Sequence, residues 1–201
     1  YLGVDEIYLK NDTKSNVVKN FNYSNYILSV LSCVKYHNII NLLQAFKKIN
    51  SKKKNNLKFI LVMQILDKNY YREIKNFIKK NFSNEEIIIL SNLENKSLID
   101  FYKNAKFYIF TSYCEVFGFT TLEAMSQNCP VVVSNKSALP EINQNAAEYF
   151  DPDNVNQISE KMMLILLDKN KRDSLTSIGK SHHRKFTWEK TVKETIRVLN
   201  I

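Results

Sequence analysis

Residues 107–134 read FYIFTSYCEVFGFTTLEAMSQNCPVVVS and hold the clearest folding signal in the chain. Phe107–Phe110 and Val131–Ser134 are short apolar runs of the kind that form strands buried on both faces. Thr120–Gln127, between them, is predicted as a helix. A buried strand, a helix and a second buried strand make up a βαβ unit, whose two strands are parallel.

The same alternation continues on both sides of this unit. The predicted strands are Tyr26–Leu31, Leu57–Met63, Ile87–Leu90, Phe107–Phe110, Val131–Ser134 and Ala147–Phe150, and the predicted helices between them are Ile39–Ile49, Tyr70–Lys80, Ser97–Asn104 and Thr120–Gln127. After Asp151 the spacing of apolar residues predicts only helices, over 154–168, 171–185 and 187–199. The predicted fold class is therefore α/β, a Rossmann-like doubly wound parallel sheet of about six strands with extra C-terminal helices.

Composition sets further limits on what the chain can be. It has 201 residues, of which 44% are hydrophobic and 24% charged, and we interpret the asparagine-rich residues 1–25 as a linker and residues 26–201 as one domain. With only three glycines, glycine-rich phosphate loops and the G-x-G-x-x-G turn are excluded. Three cysteines without a close pair indicate neither a disulfide framework nor a structural zinc, and no apolar run approaches the roughly 18 residues of a membrane span. These features favour a cytoplasmic protein.

The formal net charge of +9 comes from 25 lysines and four arginines against 20 acidic residues. The simplest explanation of this charge is a surface of solvated lysines. The alternative is that the charge attracts a phosphorylated ligand, or anionic lipid at the inner face of the membrane. We expect no nucleic acid as a partner, because arginine is scarce and no nucleic-acid-reading module is visible. His182 and His183 lie in a basic helical run and are expected to be solvated.

The loop after Phe110 combines residues that could bind a ligand. Ligands of open parallel sheets bind at the carboxyl ends of the strands, which is where this loop begins. Gly118 lies where the next helix starts, and backbone N–H groups at such a point can hold a phosphate. Glu115 and Glu123 flank it, and carboxylates beside a phosphate indicate a ligand that also offers sugar hydroxyls to them.

Both carboxylates also have plain structural explanations. Thr120 and Glu123 have the spacing of a capping box, in which the carboxylate would accept a hydrogen bond from the Thr120 N–H. Glu115 could be a loop carboxylate that the nearby helix N-terminus stabilises. The sequence alone leaves these alternatives open.

Several strings, in this order, resemble one known family: EVFGFTTLEAM with its E-x7-E motif from Glu115 to Glu123, then PVVVSNKSALPEI, AAEYFDP and FTWEKT. The chain resembles the retaining GT-B glycosyltransferases known as family 4, and the resemblance extends over most of it. It implies the C-terminal, donor-binding half of a GT-B fold. YLGVDEIYL, residues 1–9, is similar to the family's interdomain segment, which implies that an acceptor-binding domain precedes Tyr1 in the complete protein.

The resemblance implies transfer of a sugar from a UDP- or GDP-sugar to a glycan or lipid-linked acceptor, with retention of the anomeric configuration. It implies neither a metal nor a separate cofactor. Glu115 is implied as the catalytic group that meets the donor sugar near its reacting carbon, and Glu123 as the group that binds the ribose hydroxyls. The remaining implied donor contacts are Phe117, Gly118, Phe119 and Thr120 for the sugar and diphosphate, and Asn92 and Leu93 for the nucleobase.

The sequence departs from the family at the cations that neutralise the donor's diphosphate. The family's first loop has a Gly-Arg pair and a later Lys-Asn pair, and matching ILSVLSCVKYHN without gaps places Leu31 and Ser32 at the first pair and His37 at the lysine. Ser32, Lys35 and His37 are the candidates for the missing contacts. A non-catalytic module that binds sugar nucleotides, or an epimerase or phosphorylase of the same architecture, is therefore an alternative to a transferase.

Overall fold

A six-stranded parallel sheet forms the centre of the chain. The structure, a computed structural model, describes residues 1–9, 25–50, 56–83 and 85–200. The strands are β1 Tyr26–Cys33, β2 Lys58–Ile65, β3 Ile87–Leu90, β4 Tyr108–Phe110, β5 Val131–Ser134 and β6 Ala147–Phe150. They pair in the order β3-β2-β1-β4-β5-β6, and every pairing is parallel. The predicted sheet is confirmed, and β1 and β2 each extend two residues further at the carboxyl end.

Helices fill the connections between the strands and the C-terminal part of the chain. They are α1 Glu6–Leu9, α2 Ile39–Asn50, α3 Lys68–Asn81, α4 Asn95–Asn104, α5 Phe119–Ser126, α6 Leu139–Asn143, α7 Val155–Leu167, α8 Lys169–His182 and α9 Trp188–Leu199, with 3-10 turns at Lys35–His37, Gln144–Ala146 and His183–Lys185. The sequence did not predict α1 and α6, because a helix of four or five residues shows too little periodicity. None of the helices in the described ranges is long and apolar enough to cross a membrane.

Burial explains why the central strands are mostly apolar. Every residue of β4 and of β5 is buried. The sheet grows from β1 to β3 in one direction and from β4 to β6 in the other, and right-handed crossovers in opposite directions place helices on opposite faces. On one face α2 packs against α3 and α7, and on the other face α5 packs against α4 and α8. The central strands are thus covered on both faces, so they need no alternating polar residues, whereas the edge strands β3 and β6 keep partly exposed residues.

The first nine residues pack on the domain. Val4 and Tyr8 belong to the same buried core as the sheet, and the Val4 N–H donates to the Phe186 carbonyl at 3.0 Å. Gly3 lies so close to the start of α9 that a Cβ there would be 2.2 Å from the backbone nitrogen of Trp188. Residues 10–24 of the predicted linker lie outside the described residues, so a role for this segment between two domains stays a prediction.

His182 and His183 are buried, and the prediction that they are solvated is wrong. Nε2 of His182 lies 2.6 Å from the Ile142 carbonyl oxygen, and Nδ1 of His183 lies 3.0 Å from the Gly179 carbonyl oxygen. Burial lowers the pKa of both rings below its usual value, which favours the neutral ring. His182 therefore joins the end of α8 to α6, and neither histidine adds to the positive charge of the surface.

A buried tyrosine connects α3 to the start of α2. Asp67 caps α3 by accepting hydrogen bonds from the N–H groups of Asn69 and Tyr70, both at 2.9 Å. The Tyr70 hydroxyl accepts hydrogen bonds from the N–H groups of Ile39 and Ile40, at 3.0 and 3.3 Å. The first N–H groups of a helix have no partner within it, so this hydroxyl takes the place of a capping side chain for α2.

Replacing Tyr70 by phenylalanine (Tyr70→Phe) will leave these two N–H groups without their acceptor. We expect the free energy of unfolding to fall by about 1–3 kcal/mol, the usual cost of an unsatisfied buried polar group. Tyr71→Phe is the matched control, because the Tyr71 side chain is partly exposed to water. Urea unfolding of both variants measures the difference, and equal stability of the two would contradict this account of α2.

Candidate functional site

A cavity of about 880 Å³ opens at the carboxyl ends of β1, β2 and β4, where the strand order changes direction. Its walls are the ends of β1 and β2, part of the 3-10 turn after β1, the loop after β3, and the residues that lead into α5. Ligands of doubly wound sheets bind at this position, because the connections on the two sides diverge and leave a crevice between them. This cavity is therefore the candidate binding site.

Nine of the eleven residues predicted for the site line this cavity: Ser32, His37, Asn92, Leu93, Glu115, Phe117, Gly118, Phe119 and Thr120. Lys35 is exposed and does not line it, because the three side chains of a 3-10 turn point in three different directions. Glu123 does not line it either. The contacts implied for the nine residues stay predictions, since lining a cavity is not yet contact with a ligand.

Glu115 is paired with a histidine. Its Oε1 lies 3.1 Å from Nε2 of His37, and both side chains are mostly buried. The loop that carries Glu115 is held by Ser137, whose hydroxyl accepts from the Glu115 N–H at 3.2 Å and donates to the Glu115 carbonyl at 2.8 Å. Glu115 is thus fixed through its side chain and its main chain, which distinguishes it from an unpaired loop carboxylate.

Gly118 turns the chain from this loop into α5. Its φ is +87°, in the left-handed region, and a Cβ there would lie 2.8 Å from Cδ2 of Leu139. The backbone angle and the lack of space both favour glycine at this position. No side chain caps the first turn of α5, and the Thr121 N–H donates to the Gly118 carbonyl at 3.1 Å. The N–H groups of Phe119 and Thr120 are therefore the ones available to an anion, which the helix dipole also attracts. The predicted phosphate site requires this arrangement.

Glu123 points into a group of buried tyrosines. Its Oε2 accepts a hydrogen bond from the Tyr102 hydroxyl at 3.1 Å. Burial raises the pKa of this carboxyl to about 7, although hydrogen bonds from Tyr102 and Tyr8 act to lower it, and the charge of Asp5 adds to the rise. Near neutral pH the group is therefore divided between its charged and neutral forms.

The position of Glu123 corrects one expectation and excludes one alternative. The structure does not bring Glu115 and Glu123 to one cavity, because Glu123 lies a full turn after Phe119, where α5 packs against α1 and α4. The capping box is also wrong, since α5 begins at Phe119 with Gly118 as its N-cap and no side-chain cap. Binding of ribose hydroxyls by Glu123 stays a prediction, and it would require this side chain to leave Tyr102.

The cavity offers few groups that could neutralise a phosphate. Of the described residues that line it, none is lysine or arginine, and His37 is the one that can become a cation. Tyr36 and Gln64 also line it and were not predicted as site residues. Tyr36 lies in the turn after β1 and Gln64 lies near the carboxyl end of β2. Their position at the ligand-binding edge of the predicted sheet is the sequence feature that would have identified them.

Comparison with known sequences identifies the family. Residues 10–182 match the family described as Glycosyl transferases group 1. The chain belongs to this family. It is similar to the O-antigen chain mannosyltransferase B of Escherichia coli, with 35% identity over 100 residues, 50% of this chain and 26% of that protein. It is also similar to an uncharacterized glycosyltransferase of Methanocaldococcus jannaschii, with 28% identity over 191 residues, 92% of this chain and 51% of that protein.

The fold of this group 1 glycosyltransferase chain has solved counterparts. The crystal structure of the C-terminal domain of a group 1 family protein from Francisella tularensis matches with a TM-score of 0.76 and 18% sequence identity, over 91% of this chain and 97% of that one. The predicted fold class, a Rossmann-like half of a GT-B fold, is confirmed. The chain spans about half the length of the Methanocaldococcus relative.

The raised pKa of Glu123 determines how stability depends on pH. In the unfolded chain this carboxyl ionises near its ordinary pKa of 4.5, whereas in the folded chain it keeps its proton up to about pH 7. Between these values the folded state binds more protons than the unfolded state, so the contribution of Glu123 to stability falls as the pH rises. Above pH 7 this loss is complete.

Glu123→Gln places a neutral side chain of the same size at this position and so removes the loss of stability that accompanies ionisation of Glu123. We expect it to raise the free energy of unfolding by up to about 3 kcal/mol at pH 8 and to change it little at pH 4.5. Glu73→Gln, at an exposed carboxylate of α3, is the control and will change stability by no more than about 0.5 kcal/mol. Denaturant unfolding at both pH values measures these changes, and destabilisation by Glu123→Gln at pH 8 would contradict the buried neutral form.

Proposed function

We propose that this chain is the donor-binding domain of a retaining glycosyltransferase, which transfers a sugar from a nucleotide diphosphate sugar to a glycan or lipid-linked acceptor. The observation that carries the proposal is the presence of Glu115 and the uncapped start of α5 in one cavity. That cavity, of about 880 Å³, has the size of known small-molecule sites, which range over about 300–1,000 Å³. Membership of the group 1 family supports the same activity.

In this proposal each part of the donor meets a different part of the cavity. The diphosphate binds the N–H groups at the start of α5, where the helix dipole favours negative charge. The sugar lies beside Glu115, and the nucleobase lies near Asn92 and Leu93. No metal ion and no separate cofactor takes part, so backbone N–H groups contribute to neutralising the phosphates.

The proposed reaction breaks the bond between the anomeric carbon and the diphosphate. The diphosphate leaves with the bonding electrons, and positive charge develops on the sugar ring. The Glu115 carboxylate stabilises that charge in the transition state more than in the bound donor, which is the condition for faster reaction. An acceptor hydroxyl then forms the new bond on the face that the diphosphate left, and its proton passes to an oxygen of the departing diphosphate.

We propose mannose as the first sugar to test. The support is the similarity to a protein named as a mannosyltransferase, which covers half of this chain. GDP-mannose is accordingly the first donor and UDP-glucose the second. A cytoplasmic location belongs to the same proposal. Contact between exposed lysines and anionic lipid belongs to it as well, and the net charge of +9 supports that contact.

We propose that the acceptor binds to a second domain, so that this chain alone binds donor without transferring it. The chain spans about half of the Methanocaldococcus relative, a length that accommodates another domain. In addition, α9 exposes a row of apolar side chains at helical spacing, Trp188, Val192, Ile196 and Leu199. A groove of about 570 Å³ beside α9 shares Leu2, Val116 and Phe117 with the main cavity. Exposed apolar surface of this kind is typical of an interface.

A second candidate function is a module that binds sugar nucleotides without transferring the sugar. It is favoured by the lack of lysine and arginine among the described residues that line the cavity. Each charge-assisted hydrogen bond that the diphosphate loses costs about 1.5–3 kcal/mol, so such a module would bind weakly. Donor binding without any transfer in a complete protein would favour this candidate.

Ser32→Trp tests whether a nucleotide sugar binds in the cavity. Ser32 lines the cavity at the carboxyl end of β1, so an indole there will occupy the space. We expect calorimetry to show saturable binding of GDP-mannose or UDP-glucose to the wild-type chain, and binding at least about tenfold weaker, a loss of about 1.4 kcal/mol, in Ser32→Trp. Ser177→Trp, at an exposed position of α8, is the control and will bind as the wild type does. Equal binding by the two tryptophan variants would place the ligand outside the cavity.

Glu115→Gln tests the part that the carboxylate plays in the reaction. The substitution keeps the size of the side chain and removes its negative charge. In a complete enzyme that contains this domain, we expect kcat to fall by about 100-fold and the KM for the donor to change much less, because the charge acts in the transition state. Rate assays at saturating acceptor separate the two constants. A raised KM with unchanged kcat would make Glu115 a donor-binding residue instead.

A further inference from the structure

His37 is held firmly in the turn between β1 and α2. It is 6% exposed, and its ring packs edge-on against Phe110 and Tyr36, with centroids 5.2 and 4.6 Å apart. The Thr111 hydroxyl donates to the His37 carbonyl at 2.7 Å, and the Tyr113 N–H donates to the Tyr36 carbonyl at 2.8 Å. These contacts join the turn to the residues that follow β4. The imidazole therefore has a fixed place in the wall of the cavity.

Both ring nitrogens of His37 face hydrogen-bonding groups. Nε2 lies 3.1 Å from Oε1 of Glu115. A carboxylate can only accept, so Nε2 must carry a hydrogen to bond with it. Nδ1 lies 3.0 Å from the backbone nitrogen of Ser32 and 2.6 Å from the carbonyl oxygen of the same residue. Nδ1 therefore has both a donor and an acceptor within reach.

This arrangement allows His37 to gain a proton without moving. In the neutral ring, Nδ1 accepts a hydrogen bond from the Ser32 N–H. In the charged ring, Nδ1 carries a hydrogen and donates it to the Ser32 carbonyl. In both forms the Nε2–H donates to Glu115. The hydrogen bond that orients Glu115 is therefore independent of the charge on the ring.

A positive charge is needed in this cavity if a nucleotide sugar binds there. Such a ligand brings two negative phosphates close to the Glu115 carboxylate, and none of the described residues that line the cavity is lysine or arginine. Glu115 is the charged group in contact with the His37 ring. The other titratable side chains on β1, on the turn after it, on β4 and on the loop after β4 are Tyr26, Cys33, Lys35, Tyr36, Tyr108, Tyr113 and Cys114. Asp67 lies beside Cys33.

We propose that His37 positions the Glu115 carboxylate, and that a proton taken up at Nδ1 supplies the positive charge with which the cavity binds a nucleotide sugar. The inference rests on the proposed function, because the charge matters only if phosphates enter the cavity. It follows that donor binding tightens as the pH falls and the imidazole takes up its proton. Both phosphates of a nucleotide sugar are esterified, so the ligand keeps its own charge over this range.

Calorimetry of the 201-residue chain with GDP-mannose and UDP-glucose, at pH 7.5 and pH 6.0, tests this inference. We expect the wild-type affinity to rise at least about threefold between the two pH values. His37→Gln keeps an N–H donor near the position of Nε2 but cannot become charged, so its affinity will change by less than about twofold. His37→Lys carries a fixed charge and will bind at pH 7.5 at least as tightly as the wild type does at pH 6.0. Circular dichroism checks that the variants are folded.

A second measurement needs no ligand. The imidazole ¹⁵N shifts of His37, identified among the three histidines by their loss in His37→Gln, will show a hydrogen on Nε2 at both pH values. A bare Nε2 at pH 7.5 would overturn the positioning of Glu115. The same pH profile of binding in the wild type and in His37→Gln would overturn the role of the charge and leave the proposed function intact. No binding by the wild type at either pH would overturn both.

Discussion

The parallel pairing of β1 with β4 is the constraint on which the site depends. Leu28 of β1 and Tyr108 of β4 are partners in the sheet, and the Tyr108 hydroxyl donates to the Val30 carbonyl at 3.1 Å. Parallel strands end at the same edge, so the residues after β1 and after β4 emerge side by side. For this reason His37 and Glu115, 78 positions apart in the sequence, come within hydrogen-bond distance. The sheet continues in opposite directions from this pair, which opens the cavity between the two loops.

Glu115 and Glu123, the two glutamates of the E-x7-E motif, show how different surroundings give the same type of side chain different properties. Glu115 lies in a loop beside His37 and lines the cavity, so it can meet a ligand where it stands. Glu123 lies a turn inside α5, bonded to Tyr102, where burial raises its pKa to about 7. The Glu123 carboxyl joins α5 to α4 and, through Tyr8, to the N-terminal segment. The contacts in the structure therefore give Glu123 a structural role, whereas the chemistry is proposed for Glu115.

The sequence was sufficient for the sheet, because strands that are buried on both faces are uninterrupted apolar runs. The spacing of apolar residues does not predict where an individual side chain points. Lys35 is two residues from His37, yet the 3-10 turn directs the two side chains apart. Glu123 points towards buried tyrosines, and no motif in the sequence predicts that contact. Contacts with main-chain groups far away in the sequence could not be predicted either. Nε2 of the buried His182 lies against the carbonyl oxygen of Ile142, 40 residues away. The turn at Gly118 was predictable, because a glycine where a helix starts has a local cause. The lack of a side-chain cap was not, because the spacing of Thr120 and Glu123 also allowed a capping box.

A crystal structure of the chain with GDP-mannose or UDP-glucose bound is the most direct test of the claim that Glu115 and the start of α5 together hold an activated sugar. We expect the diphosphate oxygens within hydrogen-bond distance of the N–H groups at Gly118, Phe119 and Thr120, and the anomeric carbon next to the Glu115 carboxylate. A nucleotide sugar bound in the groove beside α9, or with its diphosphate away from Gly118, would contradict the claim.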